Sequence, residues 1–402
     1  MKITFLIHGV GIAGGIRAIF ECSNRLVDRG HEVNIVYPSV LLKITPQYGP
    51  SIFVEQCLRT LGNLRRGVKV DWFDVKAKLI RVFSLSPNYI GYFQKDIPDA
   101  DVIVASAWET AYSLQKINKS KGRKTYFIQH YEVWDMWNNE SCWNSFDKLD
   151  PDHLTCGMAM YDVKPSNSYI SQIKKMVDKT YTFPYHKLVT STWLKRFMEE
   201  KLDEPVAGVI PIGNNCDLFG VREFREKNNN PLKVLMSFRG ITWKGDDDGV
   251  KALEIVKKRF PEIEILFFGN MKAEQVPSWA TYIERPDDET LKRLYAEADI
   301  FVFPSWVEGW GSPPMEAMAC GTACITTNVG AVKDYAVHGE TAIVVPPRAP
   351  ERIAEEVSNL VKDKVKREKI ARGGFEYIQK FTWDHTVNAM ENTLKSIVNG
   401  KN

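Results

Sequence analysis

The sequence predicts an α/β protein made of two doubly wound units, each a parallel sheet with helices on both faces. Three observations carry that reading. At 402 residues the chain is long enough for two buried cores. Both halves open with alternating strands and helices, the pattern that gives a parallel sheet covered on both sides. The candidate strands are short, nearly continuous apolar runs, as expected of strands buried on both faces.

In the first half, Lys2–His8 (KITFLIH) reads as a strand, Gly9–Gly15 as a glycine-rich turn and Ile16–Arg29 as a helix stopped at Gly30. Glu32–Tyr37 (EVNIVY) is the next strand. Val102–Ala105 and Lys124–Gln129 follow as strands, with a helical stretch around Thr110–Lys119 between them. After the polar segment Lys227–Asn230 the pattern restarts. Lys233–Phe238, Glu262–Phe268, Ile300–Phe303 and Ala323–Thr327 read as strands. Asp247–Arg259, Asp287–Ala298 and Pro314–Ala319 read as helices, and Trp383–Val398 as a last helix beyond the second unit. In such folds ligands bind outside the carboxyl ends of the strands.

Composition narrows the partners. With 44% hydrophobic and 26% charged residues the chain is ordinary for a globular protein, and a net charge of +3 gives no reason to expect a nucleic acid. No stretch approaches the roughly 18 apolar residues of a membrane span, and the N-terminus lacks the layout of a signal peptide. Seven cysteines are scattered, and Cys320 and Cys324 have no nearby histidine or second pair that would suggest zinc. They read as buried thiols in a reducing, cytoplasmic setting. The Gly9–Gly15 turn lacks the order of a dinucleotide fingerprint and no acidic residue ends the second strand, which argues against NAD.

The densest chemistry lies in Pro304–Cys320, PSWVEGWGSPPMEAMAC. This segment follows a strand, carries Gly309 and Gly311, and enters a helix through Pro313 and Pro314, where proline is tolerated. A helix start of this kind favours anions. Glu308 and Glu316 bracket it. Carboxylates repel phosphate, so sugar diols are their expected partners, although acidic residues also favour helix starts for purely structural reasons. Phe238–Gly245 (FRGITWKG) puts Arg239 and Lys244 just past a strand, where a guanidinium fork and an ammonium suit a diphosphate. Such a pair can stabilise charge on a departing leaving group.

The run EGWGSPPMEAMACGT resembles the E-x7-E signature of family 4 glycosyltransferases. Arg29–Val33 (RGHEV), Ile210–Phe219 (IPIGNNCDLF) and Leu294–Ser305 (LYAEADIFVFPS) resemble further segments of that family, and Arg239 with Lys244 its phosphate-binding pair. The resemblance is strong in the second half and loose in the first. It implies a GT-B fold, two Rossmann-like domains facing across a cleft, with residues 1–205 on the acceptor side, 206–381 holding the donor, and 382–402 a helix packing back on the first domain. It further implies a nucleoside diphosphate sugar donor, retention at the anomeric carbon, and no divalent metal or other cofactor. Glu316 would hold ribose, Glu308 the transferred sugar, Arg239 and Lys244 the diphosphate. Gly309, Trp310, Gly311 and Ser312 would line the donor, with Gly14 and Gly15 near its phosphates. Trp310 stands where phenylalanine is usual, Ala323 where proline is usual, and Asp334 where glutamate often stands.

Family members often carry a histidine where His130 stands, in FIQHYEVWDMW, and its implied role is catalytic contact with the sugar. Trp134, Trp137 and Trp143 suit stacking on sugars or an apolar acceptor, and equally suit packing. Ser51–Lys69 has an apolar helical face ending in Arg59, Arg65, Arg66 and Lys69, joined by Lys76, Lys78 and Arg81. That pattern fits either peripheral contact with an anionic membrane beside a lipid-linked glycan acceptor, or a core helix with a solvated end. Two other classes remain: a nucleotide-sugar epimerase of similar fold, which calls for more histidines than the seven present, and a binding-only paralogue, which would lack the charged set.

Overall fold

The computed structural model describes residues 1–11, 13–38, 70–82, 91–132, 175–214, 216–221, 223–227, 230–240, 242–269, 271 and 276–400. Trp134, Trp137, Trp143 and the whole of Ser51–Lys69 lie outside the described residues. The described residues divide into two compact units, one containing those up to Ile212 together with those from Trp383 onward, the other those of Gly213–Thr382.

The first unit holds a seven-stranded parallel sheet. Its strands are β1 (Lys2–Leu6), β2 (Glu32–Pro38), β3 (Lys78–Val82), β4 (Val102–Ala105), β5 (Arg123–Ile128), β6 (His186–Val189) and β7 (Val206–Val209). They run in the order β3-β2-β1-β4-β5-β6-β7. Helix α1 (Gly14–Asp28) buries Ile16, Ile19, Phe20, Ser23 and Leu26, a stripe at helical spacing against the sheet. It ends where Gly30 takes a left-handed φ of +81°. Helix α2 (Trp108–Gln115) follows β4.

The second unit holds a six-stranded parallel sheet, in the order β10-β9-β8-β11-β12-β13. The strands are β8 (Lys233–Phe238), β9 (Glu264–Gly269), β10 (Thr281–Glu284), β11 (Ile300–Phe303), β12 (Ala323–Thr327) and β13 (Ile343–Val345). Around it lie α3 (Asp246–Arg259), α4 (Asp288–Glu297), α5 (Ser312–Ala319), α6 (Pro350–Lys362) and α7 (Lys364–Ile378). Val234, Met236, Val256, Ile265, Phe267, Val302, Ile325 and Leu360 form its core, all nearly or fully inaccessible.

Helix α8 (Trp383–Val398) rejoins the first unit, as the sequence led us to expect. It turns Trp383, Val387, Met390, Leu394 and Ile397 inward and packs on α1 and β7. A Cβ at Gly208 of β7 would lie 2.6 Å from Thr393 Oγ1, so the close approach of strand and helix requires glycine. Polar contacts close the same seam. Arg29 donates to Glu391 at 2.8 Å and to Asn388 at 2.7 Å, and His31 Nε2 lies 3.0 Å from Glu391.

The first unit extends to Ile212, past β7, the last strand of its sheet. Lys76 is ion-paired with Asp28 at 2.8 Å, and Lys78 and Arg81 lie on the edge strand β3. Among the described residues no helix is long and apolar enough to cross a membrane.

Candidate functional site

Each sheet reverses its winding at one place: between β1 and β4 in the first, between β8 and β11 in the second. The carboxyl ends of the strands flanking such a reversal leave a crevice that adjacent helices do not fill. In the second unit, Arg239 follows β8 directly, Lys244 closes the turn after it, and Glu308 follows β11. Arg239, Lys244 and Glu308 therefore lie at one switch point, with Glu316 in the second turn of α5.

Lys244 donates to Glu308 Oε1 at 2.7 Å, with the lysine side chain 27% exposed and the glutamate 9%. The backbone enforces the pairing, since Trp306 N donates to the Trp243 carbonyl at 2.8 Å and stitches the two loops together. Ser305, fully buried, places its hydroxyl 2.8 Å from the same Glu308 oxygen. From the other side the second glycine turn closes in. Gly330 has a φ of +49°, and a Cβ there would lie 1.8 Å from the Glu308 carbonyl oxygen. No other residue fits without displacing Glu308.

Glu316 is half-buried and accepts from Tyr295 Oη at 3.0 Å. Burial, then the adjacent Glu316 charge, holds the Tyr295 phenol well above its ordinary range, while Arg239 pulls the other way. Arg239 itself is exposed, so its guanidinium is open to a ligand. Its backbone is not loose: Arg239 N and Gly240 N donate to Asp246 Oδ2 at 2.7 and 2.5 Å. Asp248 accepts from the Trp306 indole at 2.6 Å, and burial pushes its carboxyl upward. Arg348 lies over the Trp306 ring, 4.8 Å from its centroid. Asp246 and Asp248, both in the first turn of α3, thus act chiefly as struts for the two site loops.

Trp310 is a support too. Its ring is buried beside Tyr335 and Phe381, and its indole donates to Met315 Sδ at 2.8 Å. Tyr335 donates to the Gly311 carbonyl at 2.7 Å, fixing the residue that caps α5 in a left-handed conformation with φ +80°. Gly309 and Ser312 are half-buried. Pro313 and Pro314 carry no N–H, so the start of α5 presents two fewer amides to a ligand.

In the first unit, Gly14 and Gly15 open α1 after β1, and His130 follows β5. Gly14 is exposed, and a Cβ on it would meet nothing within 4 Å. Gln129 Nε2 donates to the Gly15 carbonyl at 3.2 Å. His130 is half-buried and has no hydrogen bond to another described residue. Glu132, two residues on, receives Trp108 N at 2.7 Å and Tyr126 Oη at 3.2 Å, so it caps α2. The Gln-His-Tyr-Glu string therefore ties the ends of β1, β4 and β5 together. Cys22, Cys320 and Cys324 are buried free thiols, with Cys22 pushed up to about 12 by burial.

Two doubly wound parallel sheets, with a charged constellation at the switch point of the second, define the GT-B class of fold. The family model described as "Glycosyl transferases group 1" matches residues 221–377, within the second unit. Among curated relatives, the O-antigen chain mannosyltransferase B of Escherichia coli is 32% identical over 117 residues, 29% of this chain and 30% of that protein. The chain thus matches under a third of that relative's length. Sucrose-phosphate synthase from Thermosynechococcus elongatus superposes with a TM-score of 0.69 at 17% identity, covering 99% of both chains. HepE of Anabaena, solved with UDP-glucose, superposes at 0.63 with 13% identity, covering 98% of this chain and all of that one.

Proposed function

We propose that the protein is a retaining glycosyltransferase that moves a hexose-type sugar from a nucleoside diphosphate sugar to a hydroxyl acceptor, without a divalent metal. The observation that carries the proposal is the convergence of Arg239, Lys244 and Glu308 at the β8–β11 switch point, with Glu316 nearby on α5. Two cations suit a diphosphate, and two carboxylates, each already fixed by a protein donor, suit sugar hydroxyls. When the bond between the anomeric carbon and the phosphate breaks, negative charge grows on the departing diphosphate. Arg239 and Lys244 are the groups to stabilise it, the role a metal plays elsewhere. His130 and the Gly14–Gly15 turn are assigned to the sugar and phosphates from the first unit.

The acceptor proposed is a glycan or a lipid-linked glycan handled at the cytoplasmic side, in keeping with the O-antigen relative. Peripheral contact with an anionic membrane belongs to the same proposal and rests on the Ser51–Lys69 pattern.

The test starts with thermal shift of the full chain against UDP, GDP and dTDP. A nucleotide at a hundred times its Kd stabilises the fold by about 2.7 kcal/mol. Transfer from the matching nucleotide sugars is then assayed with and without excess chelator. Arg239→Ala or Lys244→Ala should weaken donor binding and turnover by about 1.5–3 kcal/mol each. No nucleotide response, or activity lost to chelator and restored by magnesium or manganese, overturns the corresponding half of the proposal.

A further inference from the structure

Ser305 lies two residues past β11, fully buried, and nothing in the motif gives it a role. Its backbone is pinned on both sides without help from its hydroxyl. Thr327 Oγ1, at the end of β12, donates to the Ser305 carbonyl, and the next amide, Trp306 N, donates to Trp243 at 2.8 Å. The hydroxyl is thus not needed to hold the loop. It has one proton and three acceptors in reach: Glu308 Oε1 at 2.8 Å, the Val307 carbonyl at 3.1 Å and the Trp243 carbonyl at 3.3 Å. The shortest is the only charged one, and a hydroxyl bonds a carboxylate more strongly than a carbonyl.

Glu308 Oε1 thereby accepts from both Ser305 and Lys244, while Oε2 accepts from no other described residue. One oxygen is tied inward and the other is left for a ligand. The two donors differ in kind. Lys244 is a partly exposed ammonium on a flexible stem, needed at the diphosphate. Ser305 is fully buried and has no other charged partner.

We infer that Ser305 is a positioning residue for Glu308: its hydroxyl keeps Oε1 turned inward and Oε2 presented to the sugar once Lys244 has moved to the diphosphate. This deepens the donor-site assignment and rests on it. A neutral hydroxyl fixes the direction of the carboxylate without changing its charge. The effect therefore falls on the sugar and leaves the nucleotide alone.

Calorimetry on the full chain tests this with whichever of UDP, GDP and dTDP binds tightest, alone and as its glucose and mannose conjugates. Ser305→Ala should leave the Kd of the bare nucleotide within about twofold and weaken the better conjugate about tenfold, the loss of one charge-assisted hydrogen bond. Ser305→Thr, which keeps the hydroxyl, should restore the conjugate's affinity. In a Glu308→Ala background the further change Ser305→Ala should cost nothing more, because the acceptor it aims is gone. Equal weakening of nucleotide and conjugate, or a full loss that persists in Glu308→Ala, overturns the role of Ser305 and leaves the donor site standing. No binding of any nucleotide to the unaltered protein overturns both.

Discussion

Glu308 and Glu316 are half-buried carboxylates on one stretch of chain, yet their partners differ in kind. Glu308 holds an ammonium and a hydroxyl, Glu316 a phenol whose proton burial makes hard to remove. The carboxylate paired to Lys244 shares that cation with the diphosphate. Glu316→Ala should accordingly weaken bare nucleoside diphosphate about tenfold or more, by removing a charged hydrogen bond to ribose. Glu308→Ala should leave that binding equal or tighter, because Lys244 no longer has to leave an ion pair, while transfer falls. Calorimetry of both variants with the same nucleotide checks the order, and the reverse order would exchange the two roles. Arg239, Lys244, Glu308 and Glu316 stand out in the sequence, because they follow strands or open a helix inside a recognisable motif. Tyr295, Ser305, Tyr335 and Asp246 do not, since each matters through a contact made across the fold that no local spacing encodes.

Among the elements, the central strands and the helices between them follow from apolar runs and helical stripes. β4, β8, β11, β12 and α8 have the expected bounds. The strands that escaped notice have a common cause. β3, β7, β10 and β13 are the edges of their sheets, and KLIRV, VAGV and TYIE are only partly buried. β6, HKLV, carries a charge into the interior, which reads as a break until Lys187 is seen paired with Glu204 at 2.8 Å. The seam between α1 and α8 has its own chemistry. Donors from Lys395, then Arg29 and His31, bring the Glu391 carboxyl from an ordinary 4.5 down to about 2. A carboxylate depressed in the folded state adds stability above its unfolded value and loses it as pH falls towards the folded one. Glu391→Gln should therefore lower Tm at pH 6, and the gap to the unaltered protein should narrow steadily on acidification from about pH 5 to pH 3. A gap independent of pH would mean that the carboxylate contributes by packing alone.

On the scale of the whole molecule, the described residues of the second unit form one run, Gly213–Thr382, while the first unit is completed by a helix that follows it. A chain stopped after residue 382 should keep a second unit able to bind nucleotide. Its first unit should loosen where α8 is missing. Hydrogen exchange is the measurement, with protection lost in α1 and β7 and kept in β8 and β11, whereas loss in β8 would show that α8 also steadies the second unit. The same connectivity bears on synthesis. Emerging from the ribosome, residues 213–382 can fold as soon as they are out. The seven-stranded sheet made earlier must wait, with the faces of α1 and β7 uncovered, until α8 arrives. During that interval the nascent first unit is the part exposed to aggregation and to chaperones, and premature termination anywhere in the second unit leaves it permanently unfinished.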